Sequence, residues 1–113
     1  MTTANDLVLK ENPTLQDFQA YVDKMKRQRG FNRDDKFYEC CCLAEETGEL
    51  ISAIRKSSKT GSIGADSVVG NVKLELADVL IYLCSLANMH GIDLEDAFRE
   101  KEDINKQRTW KRL

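Results

Sequence analysis

Proline, histidine and tryptophan each occur once in this chain, as Pro13, His90 and Trp110. One proline leaves room for long, unbroken helices. One histidine excludes metal sites built from several imidazoles, and it excludes a ferritin-like di-iron bundle, which needs a Glu-x-x-His motif on each of two helices. His90 instead reads as the last residue of a helix, where the backbone dipole favours a cation. There is no apolar run of the roughly 18 residues that a membrane span requires. Met1–Lys10 lacks the basic start and apolar stretch of a secretory signal, so a cytoplasmic setting is expected. A basic excess is also missing: 17 Lys and Arg stand against 19 Asp and Glu, a net charge of −2. That balance argues against nucleic acid as a partner.

Cysteine is present but arranged unhelpfully for metal. Cys40, Cys41 and Cys42 are consecutive, and Cys84 stands apart. Three neighbours on a helix point in three directions and make no compact thiolate site. They are expected to be small apolar core residues in a reducing compartment.

The length of 113 residues suits one domain, and the short segment 1–12 is expected to be flexible. Helical periodicity predicts four helices. The first runs from Thr14 to Arg29, where Thr14 and Asp17 have capping-box spacing, and Gly30 ends it. The second runs from Asp34 to Ser57, capped by Asn32 or Asp34. It carries two apolar stripes: Phe37, Cys41, Ala44, Gly48 and Ile51, and beside it Leu43, Leu50 and Ile54. Gly48 costs about 1 kcal/mol relative to alanine, and close approach of a neighbouring helix would compensate for it. Residues 58–70 form a glycine- and serine-rich loop, long enough to be mobile or functional. The third helix runs from Val72 to His90, and the fourth from Asp93 to about Arg108. No alternating strand pattern is seen. The fold class is therefore all-α, a four-helix bundle.

Within two of these helices, acids sit where apolar residues belong. On a helix turning about 100° per residue, Cys42, Leu43, Leu50 and Ala53 fall within about 60° of Glu46, and Glu49 lies among them. The third helix repeats the arrangement, with Glu75 and Asp78 among Val79, Tyr82, Leu86 and Met89. If these faces pack together, four carboxylates converge, and their burial is tolerable only around a cation. Hard divalent ions prefer such oxygens. A bland alternative stands beside this one: single E-x-x-E patterns are common as solvated or salt-bridged helix surface. Lys101, Asn105 and Arg108 share one face of the fourth helix and suit phosphate oxygens, or else form a solvated face paired with Glu100, Glu102 and Asp103.

The stretch Glu45-Glu46-Thr47-Gly48-Glu49-Leu50, followed by Glu75-Leu76-Ala77-Asp78-Val79-Leu80-Ile81-Tyr82, resembles the E-E-x-x-E and E-x-x-D motifs of the MazG-like all-α nucleoside triphosphate pyrophosphohydrolases. The continuation Gly91-Ile92-Asp93-Leu94, then Lys101, Asn105 and Arg108, fits the same family, and the likeness covers roughly residues 29–110. The resemblance implies hydrolysis of (deoxy)nucleoside triphosphates to monophosphate and pyrophosphate, in cleaning the nucleotide pool. It implies Mg²⁺ held by Glu46, Glu49, Glu75 and Asp78, with Mn²⁺ as a substitute, and Glu45 either supporting those ligands from behind or helping to orient the attacking water. It also implies Lys101, Asn105 and Arg108 on the phosphates, Tyr82 near sugar or phosphate, and Phe31 under the base. Lys56 or Lys59 would reach phosphates from the loop. The chain would assemble as a homodimer or as a homotetramer of two dimers, completing the bundle. Tryptophan near the base marks some pyrimidine-selective relatives, but here Trp110 lies at the far end.

Two other readings are carried alongside: a pyrophosphatase of the same fold acting on dUTP or phosphoribosyl-ATP, and a non-catalytic helical interaction module. The second would show a degraded acid set, and all four acids are present.

Overall fold

The computed structural model describes residues 7–113. Among them are four helices and no strand: α1 (Leu15–Arg29), α2 (Lys36–Ser57), α3 (Val72–Met89) and α4 (Leu94–Lys106). The all-α class is as the periodicity requires. Part of the expected flexible segment, residues 1–6, lies outside the described residues.

Each helix starts where its local chemistry stops the backbone N–H groups from going unpaired. At α1, the Thr14 hydroxyl accepts from the Asp17 N–H (3.2 Å), and the Asp17 carboxylate accepts from the Thr14 N–H (2.9 Å). The backbone N–H, then the hydroxyl, of Thr14 hold the Asp17 carboxyl below its ordinary range. Gly30 closes α1 in the left-handed conformation at φ 73°, and the Phe31 N–H reaches back to the Lys26 carbonyl at 2.7 Å. The cap of α2 is Asp35, which accepts from the Tyr38 N–H at 2.9 Å. Asn32 and Asp34, the expected caps, lie too early. Asp93 caps α4 through the Asp96 N–H at 3.0 Å.

The chain divides into two compact units. The first comprises Met1–Asn32 and Ala87–Leu113, so it holds α1, α4 and the last turn of α3. Val22, Met25 and Ala87 are its buried apolar residues. Gln19, also buried, joins its pieces: its side-chain amide donates to the Ile92 carbonyl (2.7 Å) and to Asn88 Oδ1 (3.2 Å), and its Oε1 accepts from the Leu94 N–H (2.8 Å). Asn88 returns a bond to the Gln19 carbonyl at 2.8 Å. One side chain therefore satisfies the backbone on both sides of the α4 start. Gln19→Ala strips a buried donor and acceptor of their partner, and a loss of about 2–4 kcal/mol is expected in urea unfolding.

The second unit, Arg33–Leu86, holds α2, the 58–71 connection and most of α3. Near its turn end, Lys56 Nζ donates to the Val68 carbonyl at 3.1 Å, so this lysine ties down the loop. A Cβ placed on Gly70 would lie 3.3 Å from Ala53 Cβ and 3.4 Å from Glu75 Oε1. Near its other end, the Ser85 hydroxyl donates to Glu39 Oε1 at 2.5 Å. The contacts run in reverse order along the two helices, so α2 and α3 are antiparallel.

Two expectations need correction here. Of the four cysteines only Cys84 is core; Cys40 and Cys41 are exposed, because the stripe they share with Phe37, Ala44 and Ile51 faces away from α3. Gly48 belongs to that stripe, and a Cβ built on it meets nothing within 4 Å. Among the described residues, no neighbouring helix compensates for it.

Candidate metal centre

The antiparallel pairing decides which acids meet. From Glu46 on α2, the seam residues at heptad spacing are Glu39, Cys42, Glu46 and Glu49; on α3 they are Glu75, Asp78, Tyr82 and Ser85. These positions would hold leucine or isoleucine in an ordinary coiled pair. Here they are polar: Ser85 bonds to Glu39, Tyr82 to Cys42, and Glu46 meets Asp78 and Glu75.

Glu46, Glu75 and Asp78 each offer an oxygen, and these lie within 4.8 Å of one another. Oxygens sharing one magnesium-sized ion at about 2.1 Å are up to about 4.2 Å apart, so small side-chain adjustments close the cluster on a cation. Glu46 and Glu75 are half-buried, while Asp78 is exposed. Burial, then the charges of Asp78, Glu75, Glu49 and Glu45, push the Glu46 carboxyl above its ordinary range. A group so strained in its charged form is what a divalent ion relieves. The donor set, all carboxylate oxygen and no soft ligand, fits a hard divalent ion.

The remaining candidates fall as follows. Glu49 is exposed and lies outside the close triad, though near enough for its charge to bear on Glu46; Glu45 is exposed and acts on Glu46 likewise. Tyr82 is half-buried, and its hydroxyl is pushed up to about 12 by burial, then by Cys42, with Glu39 and Glu46 adding to it. It therefore sits within the field of the cluster as the neutral phenol. Phe31, Lys101, Asn105 and Arg108 belong to the other unit. There Phe31 is exposed, the Arg108 guanidinium stacks 4.8 Å above the Trp110 ring, and Asn105 Oδ1 is enclosed without a hydrogen-bond partner. Glu39 and Ser85 did not emerge from the sequence reading. The signal that finds them is the heptad spacing of polar residues on both helices.

An all-α chain whose carboxylate cluster is shared by two antiparallel helices defines a class: helical proteins able to hold a hard divalent ion between two helices. The chain belongs to the MazG nucleotide pyrophosphohydrolase domain family, whose model matches residues 39–110. It is 39% identical over 70 residues to a dATP/dGTP diphosphohydrolase of Cyanophage S-2L, a match covering 62% of this chain. The match spans about half of that curated relative, 53% of its length. The fold is similar to that of iMazG from Vibrio DAT 722, with 36% identity, a TM-score of 0.62, and coverage of 83% of this chain and 99% of that one. It is also similar to a Cyanophage S-2L MazG-like pyrophosphohydrolase bound to dGDP and three catalytic Mn²⁺ ions per active site. That pair shares 31% identity at a TM-score of 0.66, covering 92% and 89% of the two chains. Among the described residues, no helix is long and apolar enough to cross a membrane.

Proposed function

We propose that the protein hydrolyses deoxynucleoside triphosphates between the α and β phosphates, releasing the monophosphate and pyrophosphate, and that purine deoxynucleotides are its preferred substrates. The observation that carries the reaction type is the gathering of Glu46, Glu75 and Asp78 within 4.8 Å from two helices. The purine preference rests on the names of the similar phage proteins, one a dATP/dGTP diphosphohydrolase and one bound to dGDP.

Glu46, Glu75 and Asp78 would hold Mg²⁺, with Glu49, one turn along α2 from Glu46, joining them. When bound, the ion lowers the pKa of coordinated water and neutralises charge on the phosphate oxygens. Glu45 orients the attacking water and accepts its proton; the water oxygen bonds to the α phosphorus, and the bond to the bridging oxygen of pyrophosphate breaks. Such transfers need positioning and charge neutralisation rather than a covalent intermediate, and the close triad contains no serine, cysteine or histidine. Tyr82, held neutral, donates to sugar or phosphate. The family resemblance assigns Lys101, Asn105 and Arg108 to the phosphates and Phe31 to the base; the motif order supports these roles. The substrate removed would be a non-standard or excess deoxynucleoside triphosphate of the pool.

The exposed stripe Phe37, Cys41, Ala44, Gly48 and Ile51 supports a homodimer, alone or doubled into a tetramer, as the working form.

The test is pyrophosphate release across all common ribo- and deoxyribonucleoside triphosphates, dUTP and phosphoribosyl-ATP, with Mg²⁺ and with EDTA. Release from dATP and dGTP that stops with EDTA is expected. Release from phosphoribosyl-ATP alone reassigns the substrate. A folded, metal-loaded sample that cleaves none of them is the interaction module instead.

A further inference from the structure

Two turns away from the acid cluster, the same seam carries a further polar pair that the proposed reaction does not use. Glu39 lies seven residues before Glu46, and Ser85 lies seven after Asp78, so each shares a helix face with a cluster acid about 10 Å away. Both are nearly sealed from solvent, at 2% exposure each, beside the fully enclosed Cys84. The Ser85 hydroxyl donates to Glu39 Oε1 at 2.5 Å. Between this pair and the cluster sits Tyr82, its hydroxyl hydrogen-bonded with Cys42 and within the fields of both Glu39 and Glu46.

A carboxylate in this position is costly. An apolar residue at Glu39 would pack an α2–α3 seam at lower desolvation cost. What the side chain offers is a short hydrogen bond, from a hydroxyl to its Oε1, of fixed length and direction between two helices. The acids of the cluster repel one another across the same seam, which drives α2 and α3 apart when no cation is present. A clamp two turns along opposes that separation. It also fixes the helical register, and a shift of α3 against α2 would take Asp78 away from Glu46.

We propose that Glu39 is a positioning residue: with Ser85 it locks the α2–α3 register that presents Glu46, Glu75 and Asp78 as one preformed cation site. The inference rests on the metal reading given above. If the clamp is lost, the cation must itself bring the helices into register, and its affinity falls.

The test is binding of Mn²⁺ alone, without nucleotide, followed by electron paramagnetic resonance on the full chain. Glu39→Ala and Ser85→Ala are each expected to weaken Mn²⁺ binding about tenfold, the range for groups that orient metal ligands. The double variant should be no weaker than Glu39→Ala, because the two residues act as one unit. Glu39→Gln keeps an acceptor for Ser85 and should restore most of the affinity, which a purely charge-based role would not allow. Hydrogen exchange on the metal-free variants should show faster exchange along α3 from Glu75 to Leu86. If Glu39→Ala does not fold, Ser85→Ala and Glu39→Gln decide the matter. Variants that bind Mn²⁺ within twofold of the parent, whether or not their melting temperature falls, overturn the clamp. A parent that binds no Mn²⁺ overturns the metal reading, and the clamp with it.

Discussion

Glu46→Gln should lower turnover roughly a thousandfold and at the same time make the metal-free protein more stable. The first effect follows from the loss of the half-buried carboxylate charge that Glu46 gives the cluster. Metal-borne charge stabilisation is worth several kcal/mol, and each 1.4 kcal/mol is a factor of ten. The second follows from the direction in which the Glu46 carboxyl is displaced. Burial first, and then Asp78, Glu75, Glu49 and Glu45, raise it above the value of 4.5 that an unperturbed glutamate has. Between the unfolded and folded values the native state binds more protons than the unfolded chain, so unfolding releases them. Stability contributed by this group is therefore full below the unfolded value and is lost as pH rises through the folded one. In EDTA, the melting temperature of the parent should fall as pH is raised from the ordinary glutamate range upward. Glutamine has no such titration, and the slope should flatten in the variant. Saturating Mg²⁺ selects the ionised carboxylate and should reverse the trend in the parent only. Thermal melts over that pH interval, with and without Mg²⁺, check both parts. A variant that keeps turnover, or a parent whose metal-free stability climbs with pH through this interval, would show that Glu46 is an ordinary surface acid.

The acids were visible in the sequence because charge on an apolar helical face is a local contradiction. It can be read from residue spacing alone. Glu46, Glu75 and Asp78 were found that way, as were the four helices, since caps such as Thr14 and Asp93 act within one turn. What could not be read was pairing. Whether Glu49 stands as close as Asp78 depends on the angle between α2 and α3, and spacing along one helix carries no information about the other. Glu39 was missed for a related reason. In isolation it is one more glutamate near the start of a charged helix. Only the antiparallel register, which sets it against Ser85, shows that it is enclosed. The cysteines were misassigned because a small apolar residue suits a core and an interface equally well. Cys84 took the first place; Cys40 and Cys41 lie on the exposed side. Lys56 reads as a loop cation in search of phosphate, yet it is bonded to the Val68 carbonyl.

That exposed side leads to the second large effect. Phe37 is 79% exposed and Ile51 61%, on the stripe that also holds Ala44 and Gly48. On α3, Leu76, Leu80 and Leu83 recur at four and three residues and are exposed as well. Apolar side chains of this size each gain about 1.5–3 kcal/mol on leaving water, and these are the faces that the proposed dimer would cover. In a two-fold dimer the same stripe meets itself, so a change at one position acts twice. Ile51→Asp would then cost about 4 kcal/mol in lost burial alone, roughly a thousandfold in dimer affinity. Sedimentation should show the parent as a dimer or tetramer and Ile51→Asp as a monomer with a lower melting temperature that no longer depends on concentration. Gly48 gives a check of opposite sign. On a solvent-facing helix, Gly48→Ala would stabilise by about 1 kcal/mol. Where a second copy approaches closely, the added methyl group is in the way, and Gly48→Leu more so. The expected result is dissociation by Gly48→Leu with the helical content of the chain retained. A parent that sediments as a stable monomer with Phe37 and Ile51 in water would leave this face without its partner, and the dimer with no basis.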